Sequence, residues 1–433
     1  MNKQIFPGSC CGTLQIPSSK SVVHRLLICA ALGERDVCIR LNGLSKDILA
    51  TAGCLSALGA EIRLSEKELR VKPMKRSGSE GRELILPAGE SGSTLRFLVP
   101  VVGALGLSVR FRMEGRLSSR PMAPLDSLLR EHGMSIWQDA EYLHCSGKLR
   151  SGVFRLPGNV SSQYFTGLLL ALPLLDGDCS LIVDGELESA AYVALTEDAL
   201  ELSGIRIDRA NSHEWTIYGG QTPQLPELVS AEGDWSNAAF FLCAGAFSDR
   251  GVCVSGLNLS SSQGDREILR VLSDFGAAVE TAGDRVTVCR HAAKPLHIEA
   301  GEIPDLVPVI SVLCCGAEGI SEIRGAARLR LKESDRLHTT VSLIRSLGGQ
   351  AEELPDGIRI DGRGWLRGGE TDAFNDHRIA MSAAVASLLC DAPVNVCGAQ
   401  CVEKSYPAFW QDFEAVHENA AEHSEGTDGR SVQ

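Results

Sequence analysis

Apolar and polar positions along this chain follow a pattern that recurs six times. Each recurrence begins with a polar segment running into a long apolar one: SSKSVVHRLLICAALG, ESGSTLRFLVPVVGALG, SSQYFTGLLLALPLLDG, GDWSNAAFFLCAGAFSD, IPDLVPVISVLCCGAEG and NDHRIAMSAAVASLLCDA. These stretches are too long for strands and apolar on nearly every face, which predicts buried helices. After each comes a β-branched, strand-like stretch ending in glycine: VCIRLNG, VRFRMEG, LIVDG, VCVSG, ISEIRG and VNVCG. The terminal glycines Gly43, Gly115, Gly185, Gly256, Gly325 and Gly398 are 72, 70, 71, 69 and 73 residues apart. A second, amphipathic helix follows in at least five copies and ends at LSALG, LREHG, LELSG, LSDFG or IRSLG. Its glycine (Gly59, Gly133, Gly204, Gly276 or Gly348) suits a left-handed helix C-cap. Short alternating stretches such as AEIRLSEKELRVK and GIRIDRANSHEWTIYG read as hairpin strands. The chain is therefore predicted to be α/β, built of six βαβαββ-like repeats, each with one buried and one surface helix. Six such units divide most simply into two domains of three.

At 433 residues the chain is long enough for more than one core. A formal net charge of −13 argues against a nucleic-acid or polyanionic-membrane binder, yet leaves room for a local basic pocket. Fifteen cysteines are scattered singly or as the adjacent pairs Cys10-Cys11 and Cys314-Cys315, without repeated CxxC. Cys29, Cys243 and Cys390 sit in apolar runs, where a thiol is a small hydrophobe, and this usage points to a reducing compartment. No apolar run reaches the ~18 residues of a membrane span, and the N-terminus lacks signal or transit character. A cytoplasmic monomer is expected. Residues 417–433 are polar and acidic and read as a disordered tail.

The starts of the predicted buried helices carry cations beside their caps: Lys20 and Arg25, Arg96, and His377-Arg378. A cation in a helix's first turn opposes the macrodipole, and the free N–H groups there bind phosphate or carboxylate. Loops after the repeat glycines show the same bias, with Ser119-Arg120, Ser189 to Tyr192, Lys332-Glu333 with Arg336, and Lys404. If equivalent ends of the units face one cleft, they form a basic pocket for a small, multiply anionic ligand. Asp305, at the entrance of the fifth buried helix, and Glu333, three before Arg336, are the candidate acid–base groups. Plainer readings stand beside these: Asp305 as a helix-start charge after Pro304, Glu333 as a surface ion pair, Ser161-Ser162 as an N-cap, His377-Arg378 as a solvated turn. No Walker A, HExxH or GxSxG occurs, Gly368 comes one residue too late to complete a dinucleotide loop with Gly362 and Gly364, and no metal constellation stands out.

The strings PSSKSVVHR, ESGSTLRF, SSRPM, VSSQYFTGLLLALPLL, EGDWSNAAFFL, IPDLVPV, LKESDRL, NDHRIAM and CVEKSYPAFW resemble, in order, the motifs of the 5-enolpyruvylshikimate-3-phosphate (EPSP) synthase family. The resemblance runs from about residue 12 to residue 414. It implies two domains, each an inverted α/β barrel of three repeats, with the substrate cleft between them. The N-terminal strand would join the last three repeats, giving one domain of residues 1–17 and 229–416 and another of residues 18–228. It also implies transfer of the enolpyruvyl group of phosphoenolpyruvate to the 5-hydroxyl of shikimate 3-phosphate, with release of phosphate and without metal or organic cofactor.

By motif, Lys20, Ser21, Arg25, Ser161, Ser162, Gln163, Ser189, Tyr192, Asp305 and Lys332 would contact shikimate 3-phosphate. Lys20, Gly92, Arg120, Gln163, Arg336, Arg378 and Lys404 would form the phosphoenolpyruvate site. Asp305 would orient and deprotonate the 5-hydroxyl, Glu333 would protonate the methylene carbon, and Lys20 would stand between both substrates. Three residues depart from the family pattern: Glu90 where Asn is common, Ser93 where Thr is common, and Arg328 where Asn is common. The rival transferase acting on UDP-N-acetylglucosamine carries a loop cysteine and an Asn after its first Lys. Here Gly115 to Arg120 contains no cysteine and Ser21 follows Lys20. RNA 3′-phosphate cyclase shares the repeat principle but binds nucleic acid, which the charge of −13 disfavours. A repeat scaffold for protein partners leaves Asp305, Glu333 and the clustered cations unexplained. Glyphosate occupies the phosphoenolpyruvate site in this family, and Gly92 has no side chain to obstruct it. With shikimate 3-phosphate saturating, glyphosate is expected to compete with phosphoenolpyruvate in steady-state phosphate release; non-competitive or absent inhibition would contradict this.

Overall fold

The computed structural model describes residues 1–75 and 83–419, and the chain divides into two compact units. The first comprises Met1–Pro17, Gly233–Ser261 and the chain from Asp265 onward; the second comprises Ser18–Glu232 with the short excursion Ser262–Gly264.

The second unit contains three four-stranded sheets of one topology. In the middle one, Leu84–Gly89 pairs parallel with Val109–Met113, which pairs antiparallel with Tyr142–Ser146, and that in turn with Ser135–Gln138. A parallel pair needs a crossover, and the buried helix Gly92–Ala104 supplies it. Val153–Pro157 and Cys179–Asp184 repeat the arrangement around the helix Ser162–Ala171. For the first repeat, the parallel partner of Val37–Arg40 is Leu228–Ser230, from the far end of the segment. That pairing corrects the boundary expected at Val229. The strand belongs to the second unit, and the chain leaves it after Glu232.

The first unit uses the same plan in permuted form. Gly12–Gln15 lies parallel to Val252–Ser255, and His297–Glu299 parallel to Gly319–Arg324, each pair within a four-stranded sheet. Gly369–Asp372 and Val394–Cys397 form the last parallel pair, and the N-terminal strand Asn2–Ile5 completes it as a three-stranded sheet. His417–Asn419 pairs antiparallel with Gly8–Cys10, so the first residues of the expected tail are a strand; residues 420–433 lie outside the described residues.

The helices Trp235–Gly245, Val307–Cys315 and His377–Ala386 are buried along their whole length, as apolar residues on every face require. Small residues let such helices approach closely, and thiols serve as fillers. Burial pushes the Cys29 and Cys314 thiols up to about 12, so both stay protonated. All six repeat glycines adopt left-handed backbone, with φ between 56° and 85°, turning the chain at the strand end where other residues are strained. The helices Gly92–Ala104 and Ser162–Ala171 meet at Gly167, where a methyl group would run into the Arg96 carbonyl. Gly167→Ala is therefore expected to destabilise the protein by about 1–3 kcal/mol through overpacking, despite the helix preference of alanine. A urea midpoint equal to or above that of the parent would contradict this.

Candidate active site

In the second unit, the candidate residues gather at the starts of the buried helices. Lys20 opens the helix Lys20–Leu32, and its Nζ donates to Asp47 Oδ2 at 2.9 Å. Asp47 is buried in the first turn of Lys46–Ala57, behind the Ser45 cap. Gln163 is held at both ends of its amide. Its Oε1 accepts from Arg96 Nη1 at 2.9 Å and its Nε2 donates to Ser93 Oγ at 3.0 Å. Arg96 also donates to the Pro121 carbonyl at 3.0 Å. The Gly92 Cα faces two guanidinium groups, since a Cβ there would lie 2.8 Å from both Arg120 Nη1 and Arg96 Nη1. Glu90 folds over Gly115, where a Cβ would lie 2.6 Å from its carboxyl. Ser161 is an N-cap, accepting from Gln163 N at 3.3 Å, and Ser162 is the first helical residue. Ser189 is buried in left-handed backbone (φ 55°), a conformation that costs a non-glycine residue about 1–3 kcal/mol. It leads directly into the helix Ala190–Leu202, which carries Tyr192.

Arg25 sits deeper than a ligand contact at a helix start would suggest. It is 1% exposed, with Nε on Thr196 Oγ1 (2.9 Å), Nη1 on the Ser21 carbonyl (2.6 Å), and Nη2 on Thr166 Oγ1 (3.1 Å) and the Tyr192 carbonyl (2.6 Å). Its guanidinium lies over the Phe97 ring at 5.1 Å. Burial lowers its pKa to about 10, so it remains charged at neutral pH. One buried cation thus ties the Ser21, Thr166 and Tyr192 segments together.

In the first unit, one guanidinium stands at the centre. Arg336, 1% exposed, donates from Nη1 to Asp305 Oδ1 (2.8 Å), from Nη2 to Glu333 Oε2 (2.9 Å), and from Nε to Asp376 Oδ2 (2.8 Å). Arg378 Nη2 meets the other Asp305 oxygen at 2.9 Å and the Ser236 hydroxyl at 3.1 Å. Lys332 Nζ stands 3.6 Å from Asp305, and Lys404 Nζ 3.5 Å from Glu333. Arg328 donates to the Gly301 carbonyl at 3.0 Å. Burial alone would raise the Asp305 pKa, but Arg378, Lys332 and Arg336 together hold its carboxyl well below the usual range. Burial would likewise lower Arg336, yet Asp376, Glu333 and Asp305 raise it, so its charge is secure.

The expected basic pocket is therefore a paired network in this unit: Lys332, Arg336, Arg378 and Lys404 are set against Asp305, Glu333 and Asp376. An ionised carboxylate amid cations can take a proton from a bound hydroxyl, and the cations can hold an anion beside it. Sequence reasoning singled out neither Asp376 nor Asp47 as a site residue. Asp376 did carry a signal, since it shares with Ser21, Ser93, Gln163, Asp234 and Ile303 the position 22 residues before its repeat glycine. Among the described residues, no group of three or more His, Cys, Asp and Glu is disposed to hold a metal ion.

A sequence model of EPSP synthase (3-phosphoshikimate 1-carboxyvinyltransferase) matches residues 7–413. A 3-phosphoshikimate 1-carboxyvinyltransferase of Clostridium acetobutylicum is 39% identical over 430 residues, covering 96% of this chain and 98% of the relative. One from Brachyspira hyodysenteriae is 36% identical over 96% of this chain and 99% of its own length. Among solved structures, EPSP synthase from Acinetobacter baumannii superposes with a TM-score of 0.78 at 24% identity, covering 96% of this chain and 98% of that one. The enolpyruvyl transferase NikO from Streptomyces tendae shares the fold, with a TM-score of 0.76 at 18% identity over 96% of this chain and 97% of that one.

Beside Lys20 and Asp47, His24 is fully buried, with Nδ1 2.7 Å from Thr51 Oγ1, which in turn meets Thr94 Oγ1 at 2.6 Å. Burial, reinforced by Lys20 and Arg25 against Asp47, lowers its pKa from 6.5 to about 3. The folded state therefore holds a neutral imidazole where the unfolded chain binds a proton. This contribution to stability is complete above pH 6.5 and is lost as pH falls towards 3. Between pH 7 and pH 5, His24→Asn is expected to lose less stability than the parent, by up to about 1.4 kcal/mol per pH unit. Parallel urea midpoints for the two proteins would refute this.

Proposed function

The chain belongs to the EPSP synthase family and catalyses the 3-phosphoshikimate 1-carboxyvinyl transfer; on that premise, we propose how its residues divide the work. The observation that carries the assignment is the pair Asp305 and Glu333, set on the two terminal nitrogens of one guanidinium, each beside a lysine. Asp305, held ionised, accepts the proton of the shikimate 5-hydroxyl as its oxygen attacks C2 of phosphoenolpyruvate. Glu333, entering this step as the carboxylic acid, delivers its proton to the methylene carbon, and a tetrahedral intermediate results. Its collapse breaks the bond from C2 to the phosphate oxygen, returns a methyl proton to the Glu333 carboxylate, and forms the enol ether of the product. Arg378, Arg336 and Lys404 carry the phosphoenolpyruvate charge, and Arg120 and Gly92 are assigned to the same substrate by their motifs. Lys20 and Gln163 serve both substrates.

Ser161, Ser162 and the first turn of their helix offer hydroxyls and backbone N–H groups to the 3-phosphate. Ser21, Ser189 and Tyr192 are assigned to the shikimate side, as is Lys332, which stands beside Asp305. Arg25 supports this surface from beneath through the Ser21 and Tyr192 carbonyls. Both substrates are small and anionic, and holding two such anions at reacting distance is what the clustered cations do for the rate. The reading includes a monomer acting in the cytoplasm, in keeping with its free thiols.

The test is phosphate release from phosphoenolpyruvate in the presence of EDTA, with shikimate 3-phosphate and UDP-N-acetylglucosamine supplied separately. Release only with shikimate 3-phosphate is expected. Release only with the UDP-sugar would overturn the acceptor, and release with neither would overturn the catalytic reading.

A further inference from the structure

Asp376 is 0% exposed and accepts four hydrogen bonds. Arg336 supplies two of them, from Nε to Oδ2 at 2.8 Å and from Nη2 to Oδ1 at 3.3 Å. Ser334 Oγ donates to Oδ2 at 3.0 Å, and the Arg378 backbone N–H caps onto Oδ1 at 3.0 Å. The turn that delivers this carboxylate is strained. Phe374 and Asn375, directly before it, both take left-handed backbone (φ 52° and 54°), and the Phe374 N–H is held by Asp372 Oδ1 at 2.5 Å. Consecutive left-handed residues without glycine persist only where the surroundings over-determine them.

A guanidinium gripped along one edge by a carboxylate has its plane and its remaining N–H directions fixed. Here the gripped edge is Nε–Nη2, and the directions left over point Nη1 at Asp305 and the second Nη2 hydrogen at Glu333. We propose that Asp376 is a positioning residue of the transfer, setting through Arg336 the separation and aim of the Asp305 and Glu333 carboxylates. This assignment rests on the reading of that pair as the proton-transfer groups. Asp376 touches neither reacting group itself and acts through the Arg336 guanidinium, while its cap on the Arg378 N–H is a contact that asparagine can keep.

Asparagine caps a helix as well as aspartate does, so Asp376→Asn preserves the start of the helix His377–Ala386 while replacing one guanidinium acceptor with an NH2 group. The experiment is a double-mutant cycle with Arg336→Lys, which keeps the charge but cannot take a two-point grip. Asp376→Asn is expected to lower kcat by about 10²-fold, as a small misplacement of reacting groups does, with KM for shikimate 3-phosphate within about twofold. In the Arg336→Lys background the same substitution is expected to cost less than about threefold in kcat. Should Asp376→Asn fail to fold, Ser334→Ala, which removes one of the four bonds, completes the cycle with a few-fold loss in the parent and none beside Arg336→Lys. Losses that multiply across the cycle, or an Asp376→Asn kcat within about threefold of the parent, would overturn the assignment. A parent without phosphate release dependent on shikimate 3-phosphate would instead overturn the reading of the site on which it rests.

Discussion

The first unit is organised around the pairing of one buried guanidinium with three carboxylates. Asp305 comes from the turn that opens the fifth buried helix, Glu333 from the segment before the helix Arg336–Ser346, and Asp376 from the cap of the sixth buried helix. Arg336 draws these segments to one point, so their mutual placement is set by charge and hydrogen-bond direction as well as by packing. Stranding a buried charge by removing its partner costs about 3–5 kcal/mol, whereas well-packed apolar residues can match or exceed a buried ion pair in stability. A network of seven charged side chains is therefore a poor way to gain stability alone. Its chemical use, two carboxylates held at fixed separation beside cations, accounts for it better.

The second unit handles its most deeply buried cation differently. Arg25 is met by hydroxyls and carbonyls with no carboxylate among its hydrogen-bond partners, and Gln163 spans Arg96 and Ser93 with a neutral amide. Neutral acceptors satisfy the N–H groups without cancelling the charge. The Arg25 guanidinium thus stays charged inside the second unit. In the first unit the cations are set against carboxylates instead, and Arg378, Lys332 and Arg336 hold Asp305 ionised.

Both arrangements follow from helices that are apolar on every side. Such a helix has no polar face to offer, so its polar chemistry collects at its ends, where four backbone N–H groups need partners. The caps Ser91, Ser161, Asp234 and Asp376 each satisfy one of these groups, and the candidate residues sit on or beside them. The repeat strand then ends in a left-handed glycine that turns the chain out of the sheet.

The sequence by itself determined the repeats, their buried helices and the strands ending in glycine, because period and composition are local properties of the chain. It also marked Asp305, Glu333, Arg336, Arg378, Lys332 and Lys404 as charged residues in shared register, and its motifs carried the family. Tertiary structure alone decided their pairing. Asp376 reaches Arg336 across 40 residues, Asp47 reaches Lys20 across 27, and Arg25 finds Thr196 across 171. The polar residues His417–Asn419 become a strand only because Gly8–Cys10 lies beside them, and Leu228–Ser230 joins the second unit only through Val37–Arg40. No local signal encodes such partners. A buried charge takes whichever opposite group the packed helices bring within reach, and that is a property of the assembled core.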